Sequence, residues 1–260
     1  VSLLSMLGEK KEYEDFVLEN LPGNIEPYFI FKETAPTIIK KRFVDQISKS
    51  KSIGVYSIND SPMNSENQNQ LHTHLSDLIT KHDLVIVSDY GHGFISRETA
   101  KHISKLSVFT SLNAQINAAN IGYHTLNNYQ TIDCVIINET ELRHELRDRE
   151  SDHEELMKVL SKNLHSKNLV VTQGSGGATL FNSESENFFY CPAFAGKIVD
   201  KVGAGDAMLA LISCSLKSGF DLEFSLFIGS LAAAQSVETI GNSTPVNKVQ
   251  LLKTFSHAIK

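Results

Sequence analysis

Asp206 stands directly after Gly203-Ala204-Gly205 and directly before a proline-free, largely apolar run, 207–216. This pattern reads as a loop feeding the first turn of a buried helix. Small residues let the backbone approach a ligand, and the free N–H groups of a helix start, aided by the dipole, form an anion site. A carboxylate beside an anion cradle is electrostatically awkward unless it is there to take a proton. A tight turn with an aspartate favouring the helix dipole accounts for Asp206 alone. It leaves Gly203, Ala204 and Gly205 together without a reason.

Four other constellations can carry chemistry. Asn138-Glu139-Thr140-Glu141 has its first and last residues on one helical face, and the spacing also fits a capping box. Thr172-Gln173-Gly174-Ser175-Gly176-Gly177 is a flexible segment that a simple turn would also explain. Ser88-Asp89-Tyr90-Gly91-His92-Gly93 and Ser111-Leu112-Asn113 each end an apolar run. Asn113, Asn117, Asn120, Asn127 and Asn128 then form an amide-rich stretch, suited to sugar hydroxyls or simply to solvent.

The elements that must hold these groups alternate. Strands are predicted at 53–58, 84–88, 108–112, 134–137 and 168–172, and helices at 68–80, 97–105, 139–147 and 154–164. This βαβ pattern argues for a parallel sheet covered on both faces. Two antiparallel-looking strands, 178–182 and 187–191, follow around a turn at 183–186. Helices at 204–217, 222–238 and 247–259 close the chain, and the polar run 59–70 reads as a loop leading into a helix. Ligands of open parallel sheets bind beyond the carboxyl ends of the strands. Asp89, Asn113, Asn138, Gly174 and the Gly203 loop all fall at or just beyond such ends, as a shared site on one sheet edge requires.

Composition narrows the classes. At 260 residues, 41% hydrophobic and 21% charged, the chain supports a sizeable α/β core. A net charge of −6 argues against nucleic-acid or anionic-membrane partners. No apolar stretch is long enough to span a bilayer. Cys134, Cys191 and Cys214 are scattered in apolar runs and read as buried thiols of a reducing, cytoplasmic compartment. The histidines make no zinc pattern, and His72 and His74 read as solvated. The chain contains no Gly-x-x-x-x-Gly-Lys loop, which excludes a P-loop enzyme.

The stretch Asp200-Lys201-Val202-Gly203-Ala204-Gly205-Asp206 resembles the signature of the PfkB, or ribokinase-like, carbohydrate kinases, Asp-Thr-x-Gly-Ala-Gly-Asp ahead of a long helix. Lys201 departs from it. Ala35-Pro36-Thr37, Lys41-Arg42-Phe43 and the Ser88–Gly93 stretch are most similar to the heptose-phosphate kinase branch, although His92 stands where that branch has lysine. The resemblance implies a three-layer α/β/α sandwich with a mostly parallel central sheet and a partial β lid from residues 25–58. It implies ATP-dependent phosphorylation of a sugar or sugar phosphate. Asp206 would be the base and Gly203, Ala204 and Gly205 the anion hole. Asn138 and Glu141 would be linked to Mg2+, while Thr172, Gly174, Gly177 and Asn242 would lie on the nucleotide side. A potassium site would involve Asp200 and residues 239–242.

Asp89, Asn113, Lys40 and Arg42 would meet the substrate, the lid cations Lys40, Lys41 and Arg42 facing its phosphate; a solvated strand edge protected by lysine is the plainer account of the cations. Ser111 stands where the family has an acidic residue. The early aspartate and the Gly-Gly-x-x-x-Asn stretch that precede such an opening segment in the family are not found, so the resemblance implies a kinase lacking its first strand and part of its sugar pocket. These two departures keep open a second reading, a non-catalytic sugar- or nucleotide-binding module of a larger multi-enzyme chain. A homodimer formed through the lid is expected of the complete protein, because a small isolated sheet is marginally stable in water.

Overall fold

The computed structural model describes residues 1–45, 51–116 and 120–258, which form two compact units. Val1–Lys81 with Gly91–His102 make the first. In it β1 (Ser2–Gly8) pairs in parallel with β2 (Glu26–Lys32) through the short helix α1 (Glu14–Asn20). A separate antiparallel pair joins β3 (Ile39–Val44) to β4 (Lys51–Ser57). Tyr28–Phe31, grouped with the lid on sequence, therefore belongs to a different sheet from 53–57. Helix α2 (Ser65–Ile79) begins inside the polar run, because the Asn64 side chain accepts from Asn67 N and caps it. Helix α3 (Arg97–Ile103) starts at Ser96, whose hydroxyl accepts from Thr99 N at 3.1 Å.

Ile30, Met63 and Leu71 form the core of this unit, with Leu4, Met6 and Phe94 against them. Beside it the buried Lys32 ammonium donates to Asn59 O at 2.8 Å and Ser61 O at 2.5 Å. Burial lowers its pKa and the nearby Asp60 charge partly offsets this. Gly93, at φ +82°, packs on the same loop; a Cβ there would lie 2.3 Å from Ser61 O. The expectation of solvated histidines is corrected. His72 stacks on His102 with ring centroids 4.8 Å apart and shares a hydrogen bond with Thr99 Oγ1, while His74 lies against Tyr28.

His82–Tyr90 and Ile103–Lys260 make the second unit. Its strands are β5 (Leu84–Asp89), β6 (Phe109–Ala114), β7 (Cys134–Asn138), β8 (Asn168–Thr172), β9 (Ala178–Asn182) and β10 (Asn187–Cys191), in the order β10-β9-β8-β7-β6-β5. Strands β5 to β8 are parallel and the last two antiparallel. The helices are α4 (Glu139–Leu146), α5 (His153–Leu164), α6 (Ala204–Lys217), α7 (Leu222–Ser236) and α8 (Lys248–Ala258).

Strands β7 and β8 are buried on both faces, which is why they read as continuous apolar runs. One parity, Cys134, Ile136 and Val170, packs with Met208, Leu209 and Ile212 of α6 and Leu226 of α7. The other parity, Val135, Ile137, Leu169 and Val171, is equally buried, and α4 and α5 lie over these strands. The result is the expected three-layer α/β/α sandwich with a mostly parallel sheet. Cys134 and Cys191 are buried as expected; Cys214 is exposed, a correction. Among the described residues no helix is long and apolar enough to cross a membrane.

Candidate active site

Gly203 takes φ +87° at the N-cap of α6, and no side chain caps the helix. A left-handed φ suits glycine, and its carbonyl accepts the first helical bond, from Ala207 N at 2.9 Å. The space where a Gly205 Cβ would stand is open. The first-turn N–H groups are thus presented without a protein side chain competing for them.

Asp200 fixes this loop from below. Its Oδ1 accepts from Val202 N at 3.1 Å and its Oδ2 from Gly241 N at 3.0 Å. Val237 O takes both Val199 N and Asp200 N. Asp200 is therefore gathered with the 239–242 turn, as the cation-site reading requires. Thr239 Oγ1 lies buried there without a hydrogen-bond partner among the described residues. The Asn242 side chain lies outside the described residues.

Asp206 is exposed at the start of α6. Partial desolvation raises its pKa, and the Tyr90 hydroxyl, 3.5 Å from Oδ2, acts in the opposite direction. Glu141 is buried. It closes a capping box in which its Oε2 accepts from Asn138 N at 2.9 Å and Asn138 Oδ1 accepts from Glu141 N at 2.9 Å. Its Oε1 accepts from Ile116 N at 3.1 Å. Burial raises the Glu141 pKa, these hydrogen bonds lower it, and the Asp206 charge adds a further upward push. Glu141, at the α4 start, thus lies within electrostatic reach of Asp206, at the α6 start.

Thr172 ends β8 and leads into a tight turn over Gly174–Gly176. Gly177 is confined there at φ +90°, where a Cβ would lie 2.1 Å from Cys191 O. Asp89 is buried, and its Oδ2 accepts from Tyr129 OH at 2.6 Å, with His124 Nε2 at 3.8 Å. The buried Asn113 donates from Nδ2 to Ile136 O at 2.7 Å, which ties β6 to β7. Ser111 is fully buried in β6. Asn120 is also fully buried and Asn127 bonds Glu145, so neither is a free amide; Asn117 lies outside the described residues. Lys40 and Arg42 sit on β3 of the first unit. Burial first and Arg42 second lower the Lys40 pKa. Tyr90, Tyr129 and Lys32 escaped the sequence reading, since only the fold brings their distant partners to them.

The model for pfkB family carbohydrate kinases matches residues 1–249. The chain belongs to the PfkB family. Among curated relatives of this PfkB chain, Bifunctional protein HldE of Granulibacter bethesdensis is 24% identical over 235 residues, 87% of this chain and 47% of that protein. The HldE protein of Helicobacter pylori is 24% identical over 262 residues, 99% of this chain and 55% of its own length. The chain thus spans about half the length of these relatives. Among solved structures, phosphofructokinase-2 from Escherichia coli in complex with potassium aligns at TM-score 0.78 and 16% identity, over 100% of this chain and 82% of that one. Ribokinase from Thermotoga maritima aligns at 0.74 and 19%, over 98% and 81%. At such identities the likeness shows the fold, which is that of the ribokinase-like carbohydrate kinases.

Proposed function

We propose that the chain catalyses ATP-dependent phosphorylation of a sugar hydroxyl, with a heptose phosphate as the substrate class. The observation that carries this reading is the uncapped α6 start with Asp206 in its first turn. Backbone donors preorganised where charge develops, with a carboxylate beside them, are what phosphoryl transfer to an alcohol demands. The likeness of 35–37, 41–43 and 88–93 to the heptose-phosphate kinase branch supports the substrate class.

Asp206 accepts the proton of the sugar hydroxyl while that oxygen bonds the transferred phosphorus and a nucleoside diphosphate leaves. The N–H groups of Gly203, Ala204 and Gly205 hold the oxygens of the group in flight. Raised by desolvation, Asp206 is a better proton acceptor than an ordinary surface aspartate. Among the described residues no cluster of three or more acidic, histidine or cysteine side chains could cage a metal. Both Glu141 oxygens are engaged by backbone N–H groups. The donor set therefore fits a Mg2+ that keeps its waters and is held through them by Asn138 and Glu141; bound with ATP, it would offset phosphate charge. The orphaned Thr239 Oγ1, beside Asp200 and its turn, fits a potassium ion.

In the β3–β4 pair, Phe43 faces Ile53 and Lys41 faces Val55, while Lys40 and Arg42 share the opposite face with Tyr56. We assign the cationic face to the substrate phosphate and the apolar face to a second copy of the chain, the hairpin being the lid. Asp206→Asn should lower turnover by roughly 10²–10⁴-fold and leave ATP affinity nearly unchanged. The assay is ATP consumption over a panel of free and phosphorylated sugars. Near-normal turnover in that variant overturns the reading. ATP binding by the unaltered protein with no turnover on any sugar favours the non-catalytic binding module.

A further inference from the structure

We propose that Tyr90 is the positioning residue of Asp206: its phenol holds the carboxylate by Oδ2 so that Oδ1 is left to take the substrate proton. This rests on Asp206 acting as the base. Tyr90 follows β5 directly, 116 positions from Asp206 in sequence, yet its OH lies 3.5 Å from Oδ2. No bond to Oδ1 is seen among the described residues. A catalytic hydrogen bond of this length is ordinary before substrate closes the site, and it shortens as the carboxylate is desolvated.

The backbone that carries Tyr90 is gripped far more firmly than an exposed tyrosine needs. The fully buried Asn120 donates from Nδ2 to Tyr90 O at 2.9 Å and to Gln115 O at 2.8 Å. Gln115 N donates in turn to Asp89 O at 2.8 Å. The adjacent Asp89 side chain is held by the fully buried Tyr129 at 2.6 Å, with His124 alongside. Burying an amide and a phenol is costly unless each finds partners, and here they find them on the two residues that aim Tyr90. The amide-rich stretch after β6 thus acts through Asn120 on the base. Its contribution is to the loop rather than to solvent.

Among the described residues, Tyr90, after β5, is the titratable group that acts on Asp206, and Asp206 in turn acts on Glu141 of α4. Asp200, on its own loop, is turned away onto Val202 N and Gly241 N. A phenol donating to the ionised carboxylate favours that form, against the desolvation that disfavours it. Removing the hydroxyl therefore makes Asp206 harder to ionise.

The test is Tyr90→Phe in the full chain, read two ways. Carboxyl-13C aspartate NMR of the free protein follows Asp206 directly, its signal being the one lost in Asp206→Asn. The titration midpoint of that signal should move to higher pH in Tyr90→Phe. The acid limb of the pH–rate profile should move with it, kcat should fall about 3–10-fold and KM for ATP should hold. Tyr90→Leu, with the ring also removed, must move the midpoint in the same direction. A midpoint and acid limb unchanged in both variants overturn the proposal. Turnover retained in Asp206→Asn instead overturns the catalytic reading beneath it, so the two failures are distinct.

Discussion

Asp206 feels opposing influences, and in the proposed reaction their balance sets the pH at which the site can work. Desolvation prevails over the Tyr90 hydrogen bond, so the carboxylate ionises above the usual aspartate range. As the proposed base, Asp206 must be ionised to accept a proton. Activity should therefore rise with pH through a limb lying above that of an ordinary aspartate, and kcat/KM measured against pH at saturating ATP will show it. A limb at the usual aspartate pH would mean that another group limits the rate. At this scale the sequence was legible where partners are neighbours along the chain. Gly203, Ala204, Gly205 and Asp206 are consecutive, and the Asn138–Glu141 capping box is written in a three-residue spacing. Tyr90 lay inside a quoted motif, but its relation to Asp206 depends on which strand ends meet, and local spacing carries no trace of that.

Among the elements, those of the second unit were the most readable, because strands buried on both faces and helices beside them differ sharply in period. The helix over 204–217 was anticipated to the residue. Strands β1, β2 and β3 and helix α1 were not assigned. Lys40, Lys41 and Arg42 hide the apolar pattern of β3, and Pro27 interrupts that of β2. The seven-residue α1 buries none of its side chains and starts from Tyr13 at φ +71°, so it has neither a capping residue nor an apolar face to announce it. The α6–α7 contact behind the Gly203 loop depends on Gly229, where a Cβ would stand 2.4 Å from Ile212 Cγ1. Gly229→Ala should gain slightly in helix propensity and lose more to overpacking, a net destabilisation of about 1–3 kcal/mol. Denaturant unfolding will measure it, and an unchanged midpoint would show that Ile212 moves aside freely.

For the whole molecule, the family and the three-layer architecture followed from one short loop and the alternation of elements. The division into two compact units did not, since residues 82–90 and 91–102 fall on opposite sides of it without any shift in composition. The β3–β4 hairpin leaves Phe43, Ile53 and Val55 at 58%, 61% and 51% exposure, aligned on one face. If that face meets its equal in a second copy, Val55→Lys should convert a dimer into a monomer in light scattering at micromolar concentration. A monomer before the substitution would refute the proposed interface.

The bare hairpin face has a further consequence in mass action. When the folded state is a dimer and the unfolded state is not, stability ceases to be a constant of the chain. Each tenfold rise in protein concentration adds about 1.4 kcal/mol per dimer to the apparent unfolding free energy. The melting temperature of the unaltered protein should climb with dose, while that of Val55→Lys should stay flat. Expression level would then itself protect the enzyme from unfolding.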